Sequence, residues 1–193
     1  TEGFSKVPGI FADRDGTLIK EVGYLRRLEQ IEILPGVPEA IQLLRQQGLK
    51  VAVITNQSAV ARGLITEGEL REIHQKLSDE LARHGAFLDG IYYCPHHPTE
   101  GVEPYRIVCD CRKPKAGLAR RAAADLNMDI ARSYVVGDQS SDMELASRIG
   151  AKGILIKGEA NGQQGRGAGV EVVAVRDFWE AAQWVIQDLH EMK

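Results

Sequence analysis

The sequence predicts an α/β fold in which a doubly wound, Rossmann-like parallel sheet is flanked by helices. Two observations favour this class: short apolar runs alternate along the chain with amphipathic segments of helical period, and the runs are continuous enough to be strands buried on both faces. A third observation is that polar residues follow several of these runs, at the strand ends where such sheets bind ligands. We therefore expect residues 1–193 to form a single domain of this class.

The composition places the chain among ordinary globular proteins. Of its 193 residues, 44% are hydrophobic and 26% are charged, which suffices for a substantial core. The 24 basic and 27 acidic residues give a net charge of −3, so neither a nucleic acid nor a membrane surface is expected as a partner. Because the sequence shows no apolar run of about 18 residues and no signal-peptide pattern, we expect a cytoplasmic protein, and a monomer.

The chain opens with a strand, a loop and a helix. The opening strand is the apolar run that starts at Ile10, and residues 20–35 follow as a loop without clear periodicity. Residues 37–47 place apolar side chains on one helical face and stop at Gly48, as an amphipathic helix should. The β-branched run at residues 50–55 is the second strand.

The middle of the chain continues the alternation. Residues 67–84 carry an apolar stripe at helical spacing behind Thr66, which is a favourable N-cap. Residues 90–94 are the third strand, and the Ala-rich residues 115–126 are predicted to be helical.

The last third of the chain is predicted to contain shorter elements in the same order. The expected strands are apolar runs at residues 133–136, 153–156 and 170–175. The expected helices are residues 142–149 and 177–190, the second with Asp177 as its cap. Residues 158–169 contain five glycines and are expected to form a loop.

Two carboxylates, Asp13 and Asp15, follow the opening strand, with Gly16 directly after them. At this spacing both can turn toward one metal ion or one phosphorus atom. An Asp-Gly turn is the ordinary alternative, and the motif alone does not exclude it. A calcium-binding EF-hand loop is excluded, because Tyr24 stands where that loop needs its last glutamate.

Polar residues follow other predicted elements as well. Thr55 and Asn56 begin a run of hydrogen-bonding residues that can hold a phosphate, or can form a turn. Lys113 follows Arg112 and precedes a proline that we expect to open a helix, although such a cationic pair is usually solvated surface. Asp138 ends the fourth strand, where an N-cap is the alternative.

The order of the polar groups would be accidental only if every turn, surface and N-cap alternative were correct at the same time. That order is Asp-x-Asp-Gly-Thr, Thr-Asn, Lys and Gly-Asp-x-x-x-Asp, ending at Asp142. It resembles the haloacid dehalogenase superfamily of phosphotransferases, with motifs that span residues 13–142. The lengths of the intervening segments indicate a member without a cap domain, which implies an open active site.

The resemblance implies a division of roles. Asp13 would be the nucleophile that forms an aspartyl phosphate, and Asp15 the general acid and base. Mg²⁺ would be held by the Asp13 carboxylate, the Asp15 carbonyl and Asp138, with Asp142 in a supporting position. The remaining phosphate contacts would come from Thr55, Asn56 and Lys113.

All three cysteines of the chain lie in the segment of about residues 94–111. Cys94, His96, Cys109 and Cys111 offer a Cys3His set of tetrahedral zinc ligands, with His97 as the alternative to His96. Because no ligand position is left for water, we expect a structural Zn²⁺ that fixes this loop beside the cationic pair.

Within the superfamily, the zinc loop and the motif around Ala61-Arg62-Gly63 resemble the heptose-bisphosphate phosphatases, which supply ADP- or GDP-heptose for lipopolysaccharide. The histidinol-phosphate phosphatases share the zinc loop and catalytic motifs and are the alternative. The resemblance implies a small phosphorylated sugar as substrate, with Arg62 and Arg112 as contacts for its second phosphate or hydroxyls. Gln139 and Ala59 depart from the pattern, where lysine and glycine are usual.

Other classes of protein fit the sequence less well. The net charge argues against a nucleic-acid-binding zinc ribbon. A receiver-like signalling domain needs neither zinc nor a second acid two residues after its phosphorylated Asp. A degenerate, inactive relative would be expected to lack some of the principal catalytic positions, all of which are present here.

Overall fold

The computed structural model describes residues 4–158 and 172–192 of the chain. Its centre is a six-stranded, fully parallel sheet with the strand order β3-β2-β1-β4-β5-β6. The strands are β1 (Gly9–Ala12), β2 (Lys50–Asn56), β3 (Gly90–Cys94), β4 (Tyr134–Gly137), β5 (Lys152–Ile156) and β6 (Val173–Val175). The predicted doubly wound α/β class is therefore confirmed.

Five α-helices cover the two faces of the sheet in the described part of the chain. They are α1 (Val37–Gln46), α2 (Glu67–Arg83), α3 (Gly117–Leu126), α4 (Ser140–Ile149) and α5 (Phe178–Glu191). One core joins the sheet to α1, α2 and α5, and a second core joins its other face to α3 and α4. Consecutive residues of β1 show the division, because Ile10 belongs to the first core and Phe11 to the second.

The helix signals in the sequence have identifiable physical causes. The Thr66 hydroxyl accepts the Glu69 N–H at 3.0 Å, and the Glu69 carboxylate accepts the Thr66 N–H at 3.0 Å, which forms a capping box for α2. The Asp177 carboxylate caps α5 by accepting the Glu180 N–H at 2.8 Å. Both predicted caps are thus confirmed.

Several predicted boundaries were wrong. Helix α3 begins at Gly117, because a turn in which the Lys115 N–H bonds the Arg112 carbonyl separates it from Pro114. Asp138 is not a helix cap; Gln139 occupies that position, and α4 begins two residues before its predicted start. The predicted loop at 158–169, apart from Gly158, lies outside the described residues.

The segment between β1 and α1 is more ordered than its sequence indicated. Ile19 and Ile33 form an antiparallel bridge, the Lys20 N–H bonds the Glu32 carbonyl at 2.9 Å, and Leu28–Gln30 form a 3-10 turn. Within the described residues no cap domain interrupts the chain, so the carboxyl ends of the strands stay accessible. No helix in the described ranges has the length and apolarity needed to cross a membrane.

Candidate active site

The carboxyl ends of β1, β2 and β4 bring the sequence-predicted acids and the lysine to one cavity. Its volume is about 200 Å³, and its lining includes Asp13, Asp15, Asn56, Lys113 and Asp138. These residues are far apart in the chain and meet because β1 lies between β2 and β4. The fold therefore assembles the groups that the sequence motifs had only suggested.

Lys113 joins two of the acids. Its Nζ donates to Asp13 Oδ1 at 3.0 Å and to Asp142 Oδ1 at 2.8 Å, and its side chain is only 3% exposed. Burial opposes the ammonium charge, but the adjacent carboxylates of Asp13 and Asp142 outweigh it and raise the pKa of Lys113. The lysine is consequently a fixed cation beside Asp13.

Three carboxylates form a compact acidic cluster. Donor oxygens of Asp13, Asp138 and Asp142 all lie within 4.8 Å of one another. Oδ1 of Asp138 is buried without a hydrogen-bond partner, and burial together with the Asp13 charge raises the pKa of Asp138 to about 7. Oxygen donors, excess negative charge and an unsatisfied buried oxygen are what a hard divalent cation such as Mg²⁺ would satisfy.

Gly16 is required by the close approach of Asp138. Its φ is 77°, a left-handed conformation, and a Cβ at this position would collide with the Asp138 carboxylate. Gly137 has the same relation to Asp142, whose carboxylate lies where a side chain would project. The glycines of the motifs thus give the acids room to converge.

Asp15 is held separately from the acidic cluster. Arg14 donates from Nη2 to Asp15 Oδ1 at 3.0 Å, and Gln57 donates from Nε2 to Asp15 Oδ2 at 3.0 Å. Sequence reasoning missed both partners. Gln57 was part of the polar run after β2, but its partner could not be identified from the run. Arg14 lies between two acids in the sequence, which gives no signal of burial, yet it is only 1% exposed.

Thr55 and Asn56 occupy the end of β2 with different tasks. Thr55 is 1% exposed, and its hydroxyl accepts a bond from Gln57 Nε2 at 2.8 Å. The Asn56 side chain bonds the backbone of Lys113 twice, from Nδ2 to the carbonyl at 3.1 Å and from the Lys113 N–H to Oδ1 at 2.9 Å. The Asn56 amide therefore positions the lysine, a role that the sequence did not indicate.

The two arginines expected to contact substrate lie outside the lining of this cavity as the described residues define it. Arg62 is exposed and stacks over the ring of Tyr24, with 5.5 Å between Cζ and the ring centroid, and Tyr24 itself lines the cavity. Arg112 donates from Nη1 to the carbonyl of His96 at 3.2 Å. Neither guanidinium group therefore reaches the described lining of the cavity that holds the acids, and only the Arg62 side chain contacts a residue of that lining.

A second cluster consists of soft donors. Ligand atoms of Cys94, His96, Cys109 and Cys111 lie within 4.8 Å of one another, and their sulfurs are 3.0 to 3.6 Å apart. A tetrahedral zinc site with Zn–S bonds of about 2.3 Å places its sulfurs about 3.8 Å apart. The four donors therefore fit Zn²⁺ with only a small expansion.

The choice between the two histidines has a geometric basis. Nδ1 of His96 lies 3.4 Å from the sulfur of Cys111, whereas Nδ1 of His97 accepts the N–H groups of Thr99 and Glu100. Burial raises the pKa of the Cys94 and Cys111 thiols, whereas at Cys109 the N–H groups of Arg112 and Cys111 outweigh burial and lower the pKa to about 7. That shift favours the anionic form that binds a metal.

Comparisons with known proteins find hydrolases and phosphatases of similar sequence. The family model described as haloacid dehalogenase-like hydrolase matches residues 8–150, and a second HAD hydrolase-like model matches residues 110–191. The D-glycero-beta-D-manno-heptose-1,7-bisphosphate 7-phosphatase of Escherichia coli (strain K12) is 38% identical over 96% of this chain and 92% of its own length. The enzyme of the same name from Salmonella typhi is 39% identical over 96% of this chain and 93% of its own length.

Solved structures agree with these relatives. The D,D-heptose 1,7-bisphosphate phosphatase from B. bronchiseptica, complexed with magnesium and phosphate, has a TM-score of 0.78 and 32% identity, and covers 93% of this chain and 99% of its own. A HAD-like phosphatase from Mesorhizobium loti has a TM-score of 0.82 and 30% identity, with coverage of 96% and 88%. The similarity therefore extends over nearly the whole chain.

Proposed function

This chain belongs to the haloacid dehalogenase-like hydrolase family, and from that premise we propose that it removes the 7-phosphate of D-glycero-D-manno-heptose 1,7-bisphosphate. The observation that carries the phosphatase chemistry is the contact of Lys113 Nζ with Asp13, 3.0 Å long, beside an acidic cluster, and the substrate follows from the 38% identity to the heptose-bisphosphate phosphatase of Escherichia coli. A carboxylate can attack a phosphoryl group only where neighbouring cations offset the charge of both.

Asp13 is the proposed nucleophile. Its Oδ1 already accepts bonds from the Arg14 N–H and from Lys113, so the side chain is held while Oδ2 stays available to attack phosphorus. Attack forms the Asp13–phosphorus bond and breaks the bond to the sugar oxygen, and water then hydrolyses the aspartyl phosphate. Lys113 and the buried Thr55 hydroxyl stand beside the transferring group.

Asp15 is the proposed proton carrier. It lines the cavity beside Asp13, and its carboxyl group is oriented by Arg14 and Gln57. In the first step it protonates the departing sugar oxygen, and in the second it takes a proton from the attacking water. Two acids spaced i and i+2 thereby divide the chemistry between them.

The acidic cluster is the proposed Mg²⁺ site. Asp13 and Asp138 would hold the ion with the Asp15 carbonyl, and Asp142 would support them through its bond to Lys113. A bound Mg²⁺ neutralises charge on the phosphoryl oxygens. The Cys3His cluster would hold a structural Zn²⁺, which fixes the loop that ends at Lys113.

The substrate assignment is tested by steady-state kinetics on the heptose bisphosphate, in both anomers, and on histidinol phosphate. We expect the highest kcat/KM with a heptose bisphosphate and a requirement for Mg²⁺. Gln139, which lines the cavity where a lysine is usual, is the residue expected to influence the anomer preference. A higher kcat/KM with histidinol phosphate would favour the alternative phosphatase.

The mechanism is tested by Asp13→Asn. We expect this change to lower kcat by at least about 10⁴-fold, because it removes the nucleophile. The exposed Asp79→Asn is the matched control and should retain wild-type turnover. An unchanged rate in Asp13→Asn would contradict the aspartyl-phosphate mechanism.

A further inference from the structure

Arg14 carries a buried positive charge beneath the active site. Its guanidinium group makes five polar contacts, four of them to Asp15 and Gln57: Nε donates to both carboxylate oxygens of Asp15, and Nη2 donates to Asp15 Oδ1 and to Gln57 Oε1, each at 3.0 Å. The remaining nitrogen, Nη1, points to helix α2. There it lies 3.1 Å from Nε2 of His74.

The chemistry of this contact fixes the state of His74. Arginine offers only donors, so His74 Nε2 must be the acceptor and the imidazole must be neutral. Burial of His74, together with the Arg14 charge, lowers its pKa to about 3, and its ring packs against Tyr93 at 5.8 Å between centroids. His74 therefore remains an acceptor over the whole range in which a phosphatase works.

We propose that His74 and Arg14 are positioning residues that hold the Asp15 carboxyl group in the orientation needed for proton transfer to the leaving oxygen. A planar guanidinium fork sets the plane of the carboxylate it binds. His74 satisfies the one guanidinium nitrogen that faces away from Asp15. Without it a buried charged donor would be unpaired, which favours a guanidinium that tilts toward another acceptor and distorts its bonds to Asp15. The inference rests on the proposed role of Asp15.

The proton balance gives this arrangement a measurable consequence. As the Asp13–phosphorus bond forms and the phosphorus–oxygen bond to the leaving group breaks, the departing oxygen takes the Asp15 proton, and Asp15 becomes the carboxylate that Arg14 binds. A sugar alkoxide needs that proton because it is strongly basic, whereas a nitrophenolate is a stable anion and hardly needs it. Misplacing Asp15 must therefore slow alkyl esters far more than aryl esters.

The test compares kcat/KM for heptose bisphosphate and for p-nitrophenyl phosphate in His74→Phe, which keeps a buried ring but removes the acceptor. We expect kcat/KM to fall about tenfold for the sugar ester, by analogy with the outer-shell partners that orient metal ligands, and less than twofold for the aryl ester. His74→Gln places an amide oxygen near the position of Nε2 and should restore most of the difference. The ratio of the two values does not depend on the folded fraction, so partial misfolding cannot imitate the effect.

Two further variants, Leu77→Ala and Asp15→Asn, separate a positioning role of His74 from a general loss of stability and from a failure of the proposed role of Asp15. Leu77→Ala, a buried change one turn along α2, should lower stability and leave the ratio unchanged. Suppose that His74→Phe lowers kcat/KM equally for both substrates while Asp15→Asn lowers it mainly for the sugar ester. That result would overturn the positioning role alone, and His74 would then serve only the packing and hydrogen bonding of the core. Equal losses in Asp15→Asn would overturn the proton-carrier role as well as this inference.

Discussion

The two candidate metal sites differ in how the chain builds them. The acidic cluster takes Asp13 from the end of β1 and Asp138 and Asp142 from the end of β4 and the start of α4, so it exists only when the sheet is complete. The soft cluster combines Cys94, the last residue of β3, with His96, Cys109 and Cys111 from the loop that follows that strand. The first is organised by the fold, so we expect it to exchange its ion, whereas we expect the second to need its metal to organise the loop.

Lys113 is the point at which the two clusters meet. It follows Cys111 by two residues, and Asn56 holds its backbone at the end of β2 while its Nζ contacts Asp13 and Asp142. We therefore expect the soft cluster to fix the position of Lys113, which is the one buried cation that contacts the acidic cluster among the described residues. Three predictions test this division between a fold-built site and a metal-built loop.

The largest expected effect is the loss of the soft cluster. A structural zinc contributes about 10 kcal/mol or more, so His96→Ala should lower zinc occupancy and reduce the unfolding midpoint by more than about 10 °C. His97→Asn is the matched control, because asparagine can still accept the N–H groups of Thr99 and Glu100. Elemental analysis and thermal unfolding measure both variants. Full zinc occupancy in His96→Ala would contradict the ligand assignment.

An intermediate effect is expected for Lys113→Met. Removing the lysine leaves Asp13 and Asp142 buried without their partner, which should cost about 3 to 5 kcal/mol of unfolding free energy and most of the activity. Lys152→Met is the control, because Lys152 pairs with Asp188 on the surface with half its side chain exposed, and a loss of at most about 1 kcal/mol is expected there. Denaturant unfolding measures the free energy of unfolding of both variants. Equal losses would contradict the expected difference between the buried and the surface ion pair.

The smallest effect concerns the pH dependence of Mg²⁺ binding. Protons compete with Mg²⁺ at Asp138, whose pKa is about 7, so affinity should fall up to about tenfold, or about 1.4 kcal/mol, per pH unit below that value. Without Mg²⁺, folding stability changes with pH in the opposite direction to Mg²⁺ affinity. Between about pH 4 and 7 the Asp138 carboxyl holds a proton in the folded state, whereas in the unfolded state it loses that proton near pH 3.8. Stability of the magnesium-free protein should therefore decrease as pH rises from about 4 to 7. Calorimetric Mg²⁺ titration across this range measures the effect, and a constant affinity would contradict it.

The fold was predictable because each element carried its own signal. The continuous run of β2 and the Thr66 and Asp177 caps predicted the bounds of β2, α2 and α5 to within one residue, whereas β6 begins at Val173, three residues after its predicted start. The strand-end motifs also predicted which acids converge, since parallel strands end at one edge of the sheet. The single-domain extent, the monomer and the cytoplasmic location stay predictions.

What the sequence could not show is which way the intervening side chains point. Arg14 lies between two acids and reads as a solvated charge, yet it is buried against a helix residue 60 positions away. Asn56 reads as a ligand contact, yet both its amide groups are used by a backbone 57 positions along the chain. Such long-range pairings leave no periodic trace, so only the packed structure reveals them.

The place of β1 in the sheet also has a consequence for synthesis of the chain. β1 pairs with β2 on one side and with β4 on the other, and β4 does not leave the ribosome until more than 130 residues have been made. Until then one edge of β1, an apolar strand buried along its whole length in the finished protein, is open to other chains. We expect nascent fragments that stop before Tyr134 to depend on chaperones.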